Sequence, residues 1–195
     1  MHLTGVAVGH TDRLRHGLLV SGPADDVASL RRAAQGAGAV PWSYPDLDFF
    51  EEDRMLALLN PPDGSAGLSL ASARTLARLL RTDMESQQRR VTEAVGRRRD
   101  CPFDLHALLP VPGGVLQLGP GDPAATAWLR AHWGVAQALR HVRLAGETHD
   151  RRPQRSARLA YEFWSADWTP WAALQALRRR WPVLAFDIRP DYGGD

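Results

Sequence analysis

The chain has 195 residues, 44% hydrophobic and 24% charged, which suits one globular domain. Its 24 basic residues are all arginine, against 22 acidic ones for a formal net charge of +2, so lysine Schiff bases, lysine nucleophiles and lysine-dependent phosphate loops are excluded. The single cysteine, Cys101, excludes an intramolecular disulfide, a Cys-rich zinc site and an iron–sulfur cluster.

The opening MHLTGVAVGHTDRLRH has neither a basic start nor a long apolar run, so residues 1–15 read as a lead-in rather than a secretory signal. The segment HGLLVSGP (16–23) reads as a short strand. An amphipathic helix follows over 24–35, with Pro23 at its first position, Ser21 or Gly22 as cap, and Gly36 and Gly38 as stops. A short helix is expected around 49–59, capped by Asp48 and ended by Pro61 and Pro62. The longest helical pattern runs from Ser69 to Val95 and thins at 82–88, which admits two helices.

The stretch FDLHALLPVPGG (103–114) reads as extended. Asp122-Pro123 opens a helix with Trp128 and His132 on one face and Gly134 as its stop. Residues 138–145 alternate weakly, and RRPQRSA is a polar connection. RLAYEFW (158–164) alternates well, with Leu159, Tyr161 and Phe163 on one face. A helix starting at Thr169-Pro170 should bury Trp171, Leu174, Leu177 and Trp181. VLAFDIR (183–189) closes the chain as a strand with Leu184, Phe186 and Ile188 aligned. No run of 18 apolar residues occurs, so no membrane span is expected and cytoplasmic residence is the default.

The expected architecture is therefore α+β, a single domain over 1–195. With 39–137 set aside as a largely helical insertion, the order is strand, helix, strand, strand, helix, strand. That is the split βαβ order of a ferredoxin-like antiparallel sheet with helices on one face.

Three segments carry a resemblance: FDLHALLPVP (103–112), AHWG (131–134) and FWSADWTPWAALQALRRRWPVLAFDIRPDYG (163–193). They resemble the YubB-type family of ferredoxin-like-domain proteins found on plasmids, in phages and in bacterial genomes. Phe103, Asp104, Pro110 and Pro112 fit its first segment; His132, Trp133 and Gly134 fit its His-Trp-Gly tripeptide. Phe163, Trp168, Pro170, Leu177, Phe186 and Tyr192 fit its closing part. The family's tryptophan and cysteine before the first strand are absent, and Val135 stands where a lysine often follows the tripeptide. The resemblance implies the fold and a mobile-DNA setting, and no reaction.

Candidate chemistry is sparse. Phe103, Asp104, His132, Trp133, Gly134 and Pro170 read as structural, because helix-end chemistry accounts for the tripeptide. Trp171 and Trp181 read as core; Trp164 and Trp168 are the candidate contact surface, since Trp164 lies opposite the apolar face of its strand. Arg89, Arg90, Arg97, Arg98 and Arg99 are the nucleic-acid candidates, with Arg151, Arg152, Arg155 and Arg178–Arg180 as further clusters. The acids Asp46, Asp48, Glu51, Glu52 and Asp53 read as helix-start residues rather than ligands. Cys101 near His106, and His149-Asp150, form no catalytic constellation, so no catalytic residue, cofactor or metal is expected. The expected function is a non-catalytic binding protein, meeting a protein partner or a second copy at Trp164 and Trp168 or along the long helix. Nucleic-acid binding through the arginines, or an unrecognised hydrolase, are the alternatives. A strand edge left open at 16–21 or 138–145 would favour sheet pairing between copies.

Overall fold

The computed structural model describes residues 12–44, 46–149 and 156–191. Strand β1 (Arg13–Pro23) leads into helix α1 (Ala24–Ala34), the long connection holds α2 (Leu47–Leu59), α3 (Leu70–Ala94), α4 (Leu105–Leu108), α5 (Gly113–Leu116) and α6 (Pro123–His132), and β2 (Arg140–His149), β3 (Ser156–Ala166), α7 (Trp171–Arg180) and β4 (Ala185–Asp191) complete the chain. The polar connection at 150–155, residues 1–11 of the lead-in and Tyr192 lie outside the described residues.

The four strands form one antiparallel sheet in the order β2-β3-β1-β4. The molecule is thus α+β with a four-stranded antiparallel sheet. Strand β1 is interior, paired to β3 and β4, so the segment 16–21 offers no open edge; β2 and β4 are the edges. Local sequence could not decide this, because strand order is set by long-range pairing.

Period-2 alternation fixes one buried sheet face. His16, Leu18 and Val20 of β1, Leu159, Tyr161 and Phe163 of β3, and Phe186 and Ile188 of β4 are all buried. Val27, Leu30 and Ala34 of α1 and Ala173, Leu174 and Leu177 of α7 belong to the same core. Each fully buried Leu, Val or Phe contributes roughly 1.5–3 kcal/mol of hydrophobic stabilisation.

Four local expectations need correction. Pro23 is the N-cap of α1 rather than its first residue, and it supplies no side-chain cap. Asp46, not Asp48, caps α2, its carboxylate accepting from Phe49 N at 2.8 Å. Residues 70–94 form one uninterrupted helix of 25 residues. Within the stretch expected to be extended, α4 and α5 are single helical turns, the first capped by Asp104.

Helices α2 and α3 pack on each other and stay off the main core, to which neither contributes a residue. Ala73 and Ala77 are the only buried residues of α3, and α2 has none. Arg81 reaches Asp48 and Glu51 across the hairpin and Glu85 on its own helix, and Arg78 reaches Glu51, so ion pairs bridge the two helices. Of the acids in the sequence run, Asp46 thus serves as a cap and Asp48 and Glu51 as arginine partners. Phe49, Leu56, Leu76, Leu79 and Leu80 remain exposed on this hairpin.

Candidate functional site

The second face of the sheet carries the candidate site. Directly opposed residues of an antiparallel pair point to the same face, so the register reads out as rows across the strands. One row is Arg140, Trp164, Arg15 and Asp191; the next is Arg143, Glu162, Gly17 and Arg189. Then come Gly146, Ala160, Leu19 and Asp187, followed by Thr148, Arg158, Ser21 and Ala185. Leu19, on an interior strand, is 36% exposed, and Trp164 is 37% exposed.

Glu162 sits at the centre of this face. Its Oε2 accepts from Arg15 and Arg143 at 2.6 Å each, and these two guanidiniums hold the carboxyl below its ordinary range. Arg15 also lies 3.6 Å from Asp191, and Arg189 pairs with Asp187 at 3.0 Å. Beside these charges the floor is small and apolar. Gly17, Leu19, Ala145 and Ala160 line a shallow trough of about 280 Å³, edged by Glu162, Asp187 and Arg189.

Trp168, beyond the end of β3, is 65% exposed, while Thr169 and Pro170 beside it are buried. Both expected contact tryptophans therefore reach solvent. Trp171 does as well, at 42%, which corrects its expected place in the core. It is the first residue of α7, where the side chain leans back past the helix start and away from the packed stripe. Trp181 is buried as expected, with the Arg180 guanidinium 4.6 Å from its ring centroid.

The residues carrying the resemblance are mostly interior. Phe103 is fully buried among Tyr161 and Phe163. Trp133 is fully buried and donates from Nε1 to Leu109 O at 3.0 Å, while Gly134 takes φ +83°. His132 is exposed: its Nδ1 donates to Trp128 O at 2.9 Å and its ring stacks on Trp128 with centroids 4.1 Å apart. It borders a cleft of about 390 Å³ between α6, α7 and the 108–110 segment, with Gln175 and Arg179 on its rim. A larger groove of about 710 Å³ separates the hairpin from the 118–123 loop.

The arginines of the long helix do not gather on the sheet face. Arg90 reaches Gln87, Arg98 pairs with Asp100, and Arg99 donates to Gln35 O. Arg89 and Arg97 stand exposed with them, at and beyond the end of α3. Arg178 and Arg180 are tied to the backbone carbonyls of Phe186 and Leu108. Arg151, Arg152, Arg155 and Asp150 lie outside the described residues. Burial pushes the Cys101 thiol up to about 11, so it is hardly ionised near neutral pH. No cluster of three or more metal-ligating side chains occurs among the described residues, and no helix there is long and apolar enough to cross a membrane.

Sequence reasoning missed His16. It is fully buried, stacked 5.3 Å from Phe163, and its Nδ1 donates to Leu14 O at 3.0 Å. A carbonyl only accepts, so the proton sits on Nδ1, and in the neutral ring that burial favours Nε2 accepts from the Thr169 hydroxyl at 2.9 Å. The signal was its parity with Leu18 and Val20. His106 is also neutral, its Nδ1 accepting from Val111 N at 3.2 Å. Burial lowers both pKa values from the ordinary 6.5. The unfolded chain then binds more protons below pH 6.5, so stability is full above that value. It falls as the pH drops toward the folded-state pKa values, by at most about 1.4 kcal/mol per pH unit for each imidazole. Urea midpoints measured from pH 7.5 to 5.5, above the carboxylate range, should decline; a flat profile would contradict the neutral-histidine assignment.

No known family model matches the chain, and no curated protein matches it. Among solved structures it is similar to protein api92 from Yersinia pseudotuberculosis, described under the family model DUF1281. The identity is 12%, the match covers 95% of this chain and 92% of that one, and the TM-score is 0.46. A likeness of that extent assigns neither a fold family nor an activity.

Proposed function

We propose that this is a non-catalytic, cytoplasmic binding protein built on a ferredoxin-like sheet, of the mobile-DNA-associated kind its sequence resembles. The strand order β2-β3-β1-β4, with α1 following β1 and α7 between β3 and β4, supports the fold reading. The helices between α1 and β2 are then an insertion. One observation carries the function: a sheet face bearing an exposed Trp164 and Leu19 where a solvated face ordinarily bears polar residues. The partner meets that face and the Trp168 corner beside it, with arginines at the rim.

The test is affinity capture on immobilised wild-type chain and on Trp164→Asp, from lysate with and without nuclease. Trp171→Ser is the control, since Trp171 is an exposed tryptophan outside the sheet. Circular dichroism checks that each variant is folded. A partner held by wild type and by the control but lost with Trp164→Asp supports the reading. Identical retention by all three chains rejects it.

A further inference from the structure

We propose that the ligand of the bare sheet face is a single-stranded nucleic acid, with one base stacked on Trp164 and a neighbouring base in the trough over Gly17. This rests on the reading that the sheet face is the binding surface, and it names the ligand. Charge is the first argument. The rows place Arg13, Arg15, Arg140, Arg143, Arg158 and Arg189 on this face against Glu162, Asp187 and Asp191, an excess of three positive charges. The formal charge of the whole chain is +2, so the excess on this face is not matched elsewhere in the molecule. The face is where a polyanion is attracted.

The placement of the charge is the second argument. Trp164 is directly opposed by Arg15 on one neighbouring strand and Arg140 on the other. A base on the indole would have a guanidinium on either side for its flanking phosphates. Glu162 holds Arg15 and Arg143 with one carboxylate and Asp191 lies 3.6 Å from Arg15, so the unbalanced charge beside Trp164 rests on Arg140.

Space is the third. Gly17 has extended backbone, and a Cβ added there meets no atom within 4 Å. The packing does not require glycine at 17; the empty volume faces the ligand. Glu162 and Asp187 at the trough edge are acceptors for the amino group of an unpaired base. In a duplex the base faces are stacked on one another and closed to an indole, so stacking on Trp164 selects single strands. RNA and single-stranded DNA share it.

The experiment is fluorescence anisotropy of labelled ten-nucleotide strands with the purified, nuclease-treated full chain. The arms are RNA, single-stranded DNA, duplex DNA and a polyglutamate peptide, each over a salt series. Single strands should bind with log affinity falling against log salt at a slope of about −2 to −3, as for three or four phosphates. Whichever of RNA and DNA binds tighter identifies the source of the strand. Trp164→Ala should weaken binding about tenfold or more. Gly17→Leu should do the same while melting no lower than wild type, because it fills the trough and replaces glycine in a strand. Arg140→Gln should flatten the slope by about 0.7. Oligo(dC) should bind tighter than oligo(dT). Replacing Arg89, Arg90 and Arg97–Arg99 by Gln should change nothing.

Duplex bound as tightly as single strands overturns the proposal, as does loss of binding in the Arg89–Arg99 variant. Insensitivity to both Trp164→Ala and Gly17→Leu overturns it too. Polyglutamate binding alone overturns it in favour of an acidic protein. If no nucleic acid binds at 50 mM salt while Trp164-dependent capture persists, the ligand assignment falls and the binding face stands. If both fail, both fall.

Discussion

Replacing Trp133 by Ala should lower stability by about 3–5 kcal/mol, the usual loss for a large aromatic removed from a core. The indole is fully buried, and its Nε1 is the donor to Leu109 O at 3.0 Å. Truncation leaves both a cavity and an interior carbonyl without that donor. The backbone around it has a second task. Helix α7 has Pro170 as its N-cap and no side-chain cap, so the amide groups of its first turn need acceptors from elsewhere. Trp133 O accepts from Ala173 N at 3.2 Å and supplies one. The end of α6 therefore caps the start of α7, and the tryptophan holds that end in place.

A companion variant separates packing from hydrogen bonding. Trp133→Phe keeps most of the ring and loses the donor, so its expected cost is smaller, about 1–2 kcal/mol. Gly134→Ala should be costly for a different reason. Its φ is +83°, and a Cβ there would come within 3.0 Å of the backbone nitrogens of Trp171 and Ala172, which cannot swing aside. His132→Ala should be nearly silent, within about 1 kcal/mol, because the ring is exposed. Urea unfolding by linear extrapolation reads all four. A loss below about 1 kcal/mol for Trp133→Ala would remove the structural reading of the tripeptide and return it to the candidate ligand sites.

What the sequence discloses follows how far each determinant reaches along the chain. Alternation at Leu159, Tyr161 and Phe163 announces β3 and its buried face, because burial on a pleat has period 2 within a few residues. Gly134 announces the end of α6 because the stop is local. The turns α4 and α5 are four residues each, too short for any helical period to register, and Pro110 and Pro112 give the stretch an extended look. Trp171 fits the apolar stripe by spacing alone; spacing does not know that it stands at the helix start. The sheet-face site is the least legible part. Trp164 could be placed opposite the core by parity. Its arginine neighbours, at positions 15 and 140, come together only through the register of three strands. The arginines adjacent in sequence, Arg97–Arg99, are conspicuous as a run and lie elsewhere.

The second large effect is expected at Gly36, and it is a test of coupling. A Cβ at this position would lie 2.1 Å from Asp104 Oδ2 and within 2.9 Å of two more Asp104 side-chain atoms. Asp104 has no freedom to move away. It is 6% exposed, its Oδ2 accepts from Gly38 N at 2.9 Å and its Oδ1 from His106 N at 2.8 Å. Its own amide donates to Ala34 O at 2.8 Å, at the end of α1. Gly36 is fixed as well, since it and Cys101 exchange both backbone hydrogen bonds, at 3.1 and 3.0 Å. The carboxylate thus clamps the exit of α1 to the start of α4, whose next residue, Leu109, is the acceptor of the Trp133 indole.

Gly36→Ala should therefore cost about 3 kcal/mol or more, as overpacking against an immovable neighbour does. Asp104→Ala should cost about 2–4 kcal/mol, because two amide donors lose their acceptor where water has little access. The double variant decides between a steric clash and two independent losses. With the carboxylate gone, the methyl added at Gly36 has room, so the double variant should be less destabilised than the sum of the singles by at least about 1 kcal/mol. Additivity within about 0.5 kcal/mol would mean that the added methyl is accommodated by backbone movement instead. The close approach of Gly36 to Asp104 would then not be what holds the first helix to the rest of the core.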